Sequence, residues 1–467
     1  MNRKRQRQLP SGLSWGPFTT RIPFRHTTLV GSQFVQGCFV AAAAVLALVP
    51  LLQSGFGLSF YEAVTISLIH SILLASAPMI YGDPFSPGWL TPALPLVLVY
   101  VMGSYTDPAS RFQAMTALSI EFAVLLLLMG GTGLGRWFHD WLPSTLKACM
   151  IMGASISAFK RIFFDDISSL QALPITAITA LSICMLFTFS VPFKRYIKKY
   201  KVLAVVASLG LLPGVLAAML IGPFVGEISY DIQWGIFIPQ FSSLWQKVSP
   251  FAIGWPSLGM YVNAAPIVVV SYIIFFGDII TGEEIIRGAQ AHRPDDVIDT
   301  NVTRIHFSCA IRNFLMAFFA PFFPTQGVLW TGVQVIIVQR WSQGRDAMPS
   351  LFCGISSYNM LGVPLLLLLL PLVTLLEPIL PVALMLTLML TAFACAYIAL
   401  SLVKGDVERG VVILGGVSLA MFDAWLGLLI SIVAVLLLVG FQRDATEGSD
   451  SSHDLTAEST VKYEPVK

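Results

Sequence analysis

The chain has 467 residues, of which 56% are hydrophobic and only 12% charged, and its mean hydropathy is +0.77. A soluble fold could not hide that much apolar surface, so the expected class is an all-α integral membrane protein. A net charge of +2 gives no footprint for nucleic acid. The six cysteines, Cys38, Cys149, Cys184, Cys309, Cys353 and Cys395, stand singly, which argues against a zinc site or a disulfide framework and for small core residues.

The start, MNRKRQRQLPSG, is basic, and no small-residue cleavage site follows the first apolar run, so residues 1–28 are expected to be a cytoplasmic tail and not a cleaved signal. Runs long enough to cross a hydrocarbon core of about 30 Å follow near 33–51, 58–80, 87–103, 112–131, 143–160, 172–191, 202–222, 262–286, 304–321, 326–339, 359–376, 379–402, 410–425 and 426–441, fourteen in all. With the N-terminus inside, Arg136, Lys194, Arg195, Lys198, Lys199, Lys201, Arg287, Arg293, Arg340, Arg345, Lys404, Arg409 and Arg443 all fall on one side. The other side keeps chiefly Arg111, Lys160, Arg161 and Lys247. Positive charge is held in the cytoplasm during insertion, so this asymmetry predicts both termini in the cytoplasm, of a bacterial inner membrane or a plasma membrane. Residues 443–467, rich in Ser, Asp, Glu and Thr, are expected to be a disordered tail.

Spans 3 and 10 are short and follow similar stretches, Pro84-Phe85-Ser86-Pro87 and Pro321-Phe322-Phe323-Pro324, 237 residues apart. The same motif at the same place in two seven-span halves predicts an inverted repeat, 29–222 and 262–442, joined by an extracytoplasmic connection at 223–261. Proline bars a continuous helix, and irregular backbone is tolerated at membrane depth only where protein or a watery cavity satisfies it. Two broken half-helices are therefore expected to point their N-termini at each other. Each N-terminus carries roughly +0.5 charge and unpaired N–H groups, which favour an anion or a carbonyl-rich solute. Ser86, Gly88, Thr91, Thr325, Gln326 and Gly327 are expected to line the gap; the alternative is that both PFxP stretches are ordinary loop ends.

Asp278 sits in the middle of span 8. An intramembrane carboxylate costs about 2.5–3.5 kcal/mol on insertion scales, so it is expected to bind substrate or to carry a proton or a cation, the alternative being a structural hydrogen bond to a broken helix. Thr281 is expected on the same face, Glu283 is expected to pair with Arg287, and Glu284 is a second coupling candidate. In span 9, Arg312 and Asn313 are embedded in apolar sequence, with Arg312 expected either to pair with a carboxylate or to attract an anion. Gln33 and Gln36 share a face of span 1, with Gln36 a candidate substrate ligand and helix packing the alternative; Glu121 in span 4 completes the set. No H-E-x-x-H, G-x-S-x-G or G-x-x-x-x-G-K-[ST] motif is present, which leaves gradient-driven transport rather than an enzyme or an ATP-driven pump.

Three segments, LASAPMIYGDPFSPGWLTPALPLVLV, SYIIFFGDIITGEE and DTNVTRIHFSCAIRNFLMAFFAPFFPTQG, resemble the superfamily that joins sulfate permease-type anion transporters with nucleobase/ascorbate permeases. The resemblance extends across most of residues 33–440, and Asn301, Asn313 and Pro324 fall where the last pattern carries Asn, Asn and Pro. It implies seven-plus-seven inverted repeats, a core domain of spans 1–4 and 8–11 moving against a gate domain of spans 5–7 and 12–14, substrate held between spans 1, 3, 8 and 10, and homodimers. Ile274 and Val328 stand where the nucleobase branch carries acids. The expected form is a divergent member without a regulatory STAS domain.

The resulting expectation is an elevator-type secondary transporter, a symporter of a small inorganic or carboxylate anion driven by H+ or Na+, with no other cofactor and no metal. A permease for nucleobase-like solutes and an uncoupled anion channel of the same fold are the alternatives.

Overall fold

The computed structural model describes residues 12–38, 42–200, 203 and 211–440. The basic positions Lys201 and Arg443 and the expected tail 443–467 lie outside the described residues, as does 1–11 of the N-terminal tail.

Among the described residues, each apolar run overlaps a helix, in several cases only in part. Four helices, Phe60–Tyr81, Pro108–Thr132, Leu258–Gln290 and Leu370–Ser401, are long and apolar enough to cross a membrane, and the chain is an integral membrane protein. Shorter apolar helices are Ala44–Phe56, Thr91–Ser104, Pro174–Phe189, Leu212–Phe224, Leu351–Leu367 and Ala424–Leu438. Ser144–Lys160, Val302–Phe319, Thr331–Trp341 and Asp406–Met421 complete the set.

Helices of the two halves interleave into two bundles. In one, Pro108–Thr132 packs on Val302–Phe319 and Leu258–Gln290, with Thr331–Trp341, Phe60–Tyr81 and Leu351–Leu367 alongside. In the other, Ser144–Lys160 packs on Leu380–Ser401 and Asp406–Met421, flanked by Pro174–Phe189, Leu212–Phe224 and Ala424–Leu438. Pro266 inside the eighth span cannot donate to Val262, and the carbonyl that it frees accepts from Trp425 Nε1 of the second bundle at 2.9 Å.

Two boundaries differ from expectation. The polar stretch Ser356-Ser357-Tyr358-Asn359 does not precede span 11 but is buried inside it as a π-helical turn, so the span runs Leu351–Leu367 in place of 359–376. Span 12 starts at Leu370, because the extended chain at 235–237 captures the break: Phe237 N donates to Leu368 O at 2.9 Å and Leu370 N to Gly235 O at 3.2 Å.

Residues 12–28 are likewise not a free tail. Strands β1 (Leu13–Trp15) and β2 (Phe18–Thr20) form an antiparallel hairpin. Trp15 Nε1 donates to Thr20 Oγ1 at 2.7 Å, Arg21 N to Met79 O at 2.7 Å, and Val30 N to Ser357 Oγ at 2.9 Å. The Arg21 guanidinium lies 3.4 Å from the centre of the Phe352 ring. Basic composition alone does not reveal these partners, which come from spans 2 and 11.

The PFxP stretches are held by their aromatic rings. Phe85 is fully buried against Gly282, where a Cβ would meet the ring at 2.7 Å. Phe322 packs edge-on to Phe56, and Phe323 to Phe122, with centroids 5.2 and 5.1 Å apart. Between these anchors the two stretches cross as extended, antiparallel backbone. Leu90 N donates to Pro324 O at 3.0 Å, Gly327 N to Gly88 O at 2.8 Å, and Trp330 N to Ser86 O at 2.8 Å.

Glycine is required at the crossing by space. A Cβ on Gly327 would lie 2.6 Å from Gly88 O and 2.8 Å from Leu90 N. Gly327→Ala is therefore expected to destabilise the purified protein by about 1–3 kcal/mol through overpacking, read as a lowered Tm. Gly332→Ala, where a Cβ meets nothing within 4 Å, is the control expected to leave Tm unchanged.

Candidate functional site at the crossing of the broken helices

Each half-helix begins directly after the last crossing bond. The third-span helix starts with a 3-10 turn at Thr91–Ala93 and continues as Leu94–Ser104; the tenth-span helix is Thr331–Trp341. Neither start has a side-chain cap or an acidic residue in its first turn. Their C-terminal ends, in contrast, each meet an arginine. Arg111 Nε donates to Tyr105 O at 2.9 Å at the end of the third-span helix, and Arg293 Nη1 to Trp341 O at 2.8 Å at the end of the tenth. The negative ends of both helix dipoles are thus compensated by cations, while the positive ends carry no carboxylate.

The starts lie later than expected. Ser86, Gly88, Thr325, Gln326 and Gly327 were expected in the gap before the helices; the structure buries all five in the crossing itself, where most of their polar groups have protein partners. Ser86 N donates to Gln334 Oε1 at 2.6 Å, and Ser86 Oγ accepts from Asn359 Nδ2 at 2.9 Å. Thr325 Oγ1 donates to Phe322 O at 2.8 Å. Gln326 donates to His70 O through Nε2 at 3.4 Å, while its main-chain oxygen accepts from Asn313 Nδ2 at 3.1 Å. Thr91 is half-buried at the third-span start, and Thr331 and Gly332 are exposed at the tenth. Those last two positions, missed in the sequence, are the exposed residues at the tenth-span start.

Arg312 is fully buried and turns toward the crossing. Nη2 donates to Gly327 O at 3.1 Å and Nη1 to Gln326 Oε1 at 3.4 Å, while Nε has no partner. Among the described residues it makes no contact ion pair, but the buried Asp83 carboxylate is close enough to feel its charge, so a carboxylate stands near it without touching it. Asn313 supports the same backbone, also donating to Cys309 O at 2.9 Å.

Asp83 and Arg304 are a second pair that sequence reading passed over. Asp83 is buried and accepts from Ser308 Oγ at 2.5 Å, with Arg304 Nε 3.9 Å from its other oxygen. Arg304, Ser308 and Arg312 recur every fourth residue, one face of the ninth span, so helical periodicity carried the signal. Gln334 and Asn359 left none, since only the fold brings them to Ser86.

Asp278 is half-buried in the middle of Leu258–Gln290, one turn before Gly282 and so on the helix side that meets Phe85. Thr281, expected beside it, is exposed and donates to Gly277 O at 2.9 Å. Arg287 pairs with Glu284 and not with Glu283 as expected, because the i, i+3 spacing brings Glu284 into reach. That places the second coupling candidate in an exposed ion pair. Gln36 is half-buried in the first span with Oε1 unpartnered, and the neighbouring Gly37 packs on the main chain of Tyr358.

No protein-family model matches the chain, and no curated protein matches it in sequence. Among solved structures, the transmembrane domain of a cyanobacterium bicarbonate transporter, BicA, is similar over 86% of this chain and 97% of its own, with 12% identity and a TM-score of 0.43. SLC26A9 is similar over 88% of this chain and 64% of its own, with 16% identity and a TM-score of 0.48. The murine Solute Carrier 26 family member A9 anion transporter, in its inward-facing state, covers 88% of this chain and 68% of its own, at 16% identity and a TM-score of 0.46. By their names, BicA is a bicarbonate transporter and the murine protein an anion transporter.

Removing Gln334 tests the construction of the crossing. Gln334→Ala leaves the buried Ser86 N without an acceptor, at a cost of about 1–3 kcal/mol, and is expected to lower Tm in anion-free buffer. An unchanged Tm would mean that Ser86 is satisfied elsewhere.

Proposed function

We propose that the protein is an elevator-type secondary active transporter of a small anion, inorganic or carboxylate, coupled to protons or sodium through Asp278. In this reading it is a homodimer of fourteen-span chains with both termini in the cytoplasm, and the first bundle moves against the second. The reading rests on one observation: two uncapped half-helix starts follow a crossing held by Arg312, a buried guanidinium that touches no carboxylate among the described residues and shares the charge of buried Asp83 with Arg304 and Arg21. Buried positive charge that is only partly offset is costly, and a bound anion supplies further counter-charge. The amides of Thr331 and Gly332 and the Thr91 hydroxyl are the groups offered to it, with Arg312 setting the local potential. Buried Ile274 and Val328 present hydrocarbon where a nucleobase permease would present acids, which weighs against that alternative.

Purified protein screened against sulfate, bicarbonate, dicarboxylates, aromatic carboxylates and nucleobases is expected to gain thermal stability with an anion, by mass action. Arg312→Gln is expected to weaken that anion's binding about tenfold or more, roughly 1.4 kcal/mol, measured as the concentration needed for half the shift. Stabilisation by nucleobases alone would overturn the anion assignment.

Asp278→Asn in proteoliposomes is expected to abolish the dependence of uptake on a proton or sodium gradient while tracer counterflow persists. Wild-type flux that follows membrane potential with no coupled cation and no counterflow would establish the channel reading instead.

A further inference from the structure

An apolar cavity of about 370 Å³ opens between the two bundles, remote in sequence from the crossing. Leu146 and Met150 of the fifth span form one wall, Ile432 and Leu436 of the last span another, and Val269 of the eighth span the third. Trp141, stacked on Trp137 with centroids 6.2 Å apart, closes the end next to the start of the fifth span. Every lining side chain is aliphatic, aromatic or, at Met150, a thioether, and no polar surface is presented to the space.

Water in such a space would find none of the two to four polar partners that it needs. An empty space would forfeit dispersion contacts along the whole lining. On its open side the cavity continues into the apolar outer surface of the last span, where Leu429 and Leu437 are 57% and 78% exposed. What faces that surface in a membrane is acyl chain. Tryptophan pairs of the kind at Trp137 and Trp141 are characteristic of the level where lipid headgroups begin.

We propose that this cavity is a binding site for one acyl chain of a membrane phospholipid, inserted between the bundles with its headgroup at the level of Trp141. The chain fills the seam between Val269 on one bundle and Met150 and Ile432 on the other, so a sliding movement of the bundles would reshape its site. That consequence for transport rests on the elevator reading; occupancy of the cavity does not.

The test uses full-length protein in nanodiscs doped with a phosphatidylcholine bearing a diazirine midway along one acyl chain, with adducts mapped by mass spectrometry. Labelling at Leu146, Met150 and Ile432 is expected to exceed that at the exposed Leu429 and Leu437 several-fold. Val269→Trp and, separately, Ile432→Trp fill the cavity and are expected to remove that excess while labelling of Leu437 continues. Equal labelling of cavity and outer surface, or an excess that filling does not change, would overturn the proposal. So would exclusion of label from the cavity together with disulfide capture of two chains through Leu436→Cys, which would assign the space to a second copy of the protein. Transport assays on the filled variants address the elevator reading separately: changed flux without changed labelling of Leu437 links the site to movement, and unchanged flux leaves a lipid site that does not move.

Discussion

Backbone that leaves the helix inside a membrane must find its hydrogen bonds within the protein, and this chain meets that demand by crossing two broken helices against each other. Three main-chain bonds join the stretches around Gly88 and Gly327. Side chains from three other helices, His70, Arg312 with Asn313, and Asn359, together with Gln334 of the tenth-span helix itself, supply further bonds. The PFxP phenylalanines then fix the crossing in the apolar core. Loss of any one of these partners leaves a buried polar group in a medium that cannot replace it.

The same constraint shapes the electrostatics. Interrupting two helices at depth creates two positive starts, and compensating their far ends with Arg111 and Arg293 leaves that polarity uncancelled. Arg312 adds a full charge beside the crossing. In water such an arrangement would be screened; within apolar surroundings it is felt more strongly. Burial and polarity are thus two consequences of one break in the helix.

Legibility in the sequence followed locality. Apolar run length marked the long apolar helices, since a segment that crosses must cover the hydrocarbon whatever its neighbours do. The paired PFxP motifs marked both interruptions, and Asn313 and Gln326, singled out in the sequence, meet at the crossing. Boundaries failed where tertiary contacts set them: the π turn at Ser356–Gly362 is polar by composition yet buried beside the first span, and the break before Leu370 is made by chain at 235–237. The N-terminal hairpin failed for the same reason.

Within the site, local pattern placed Ser86, Gly88, Thr325, Gln326 and Gly327 in one region but not in their roles. They hold backbone to backbone, while Thr331 and Gly332 take the exposed position. Whether a residue lies on a break or past it depends on how many crossing bonds form, and these join residues about 240 positions apart. The sequence by itself determined that the chain is helical, membrane-embedded and interrupted twice, because hydropathy and proline act over one or two turns. Only the tertiary structure decided that Arg312 bonds to the crossing with Asp83 near but not touching it, that Arg287 takes Glu284, and which residues at the helix starts are exposed, because burial and pairing are properties of helices brought together.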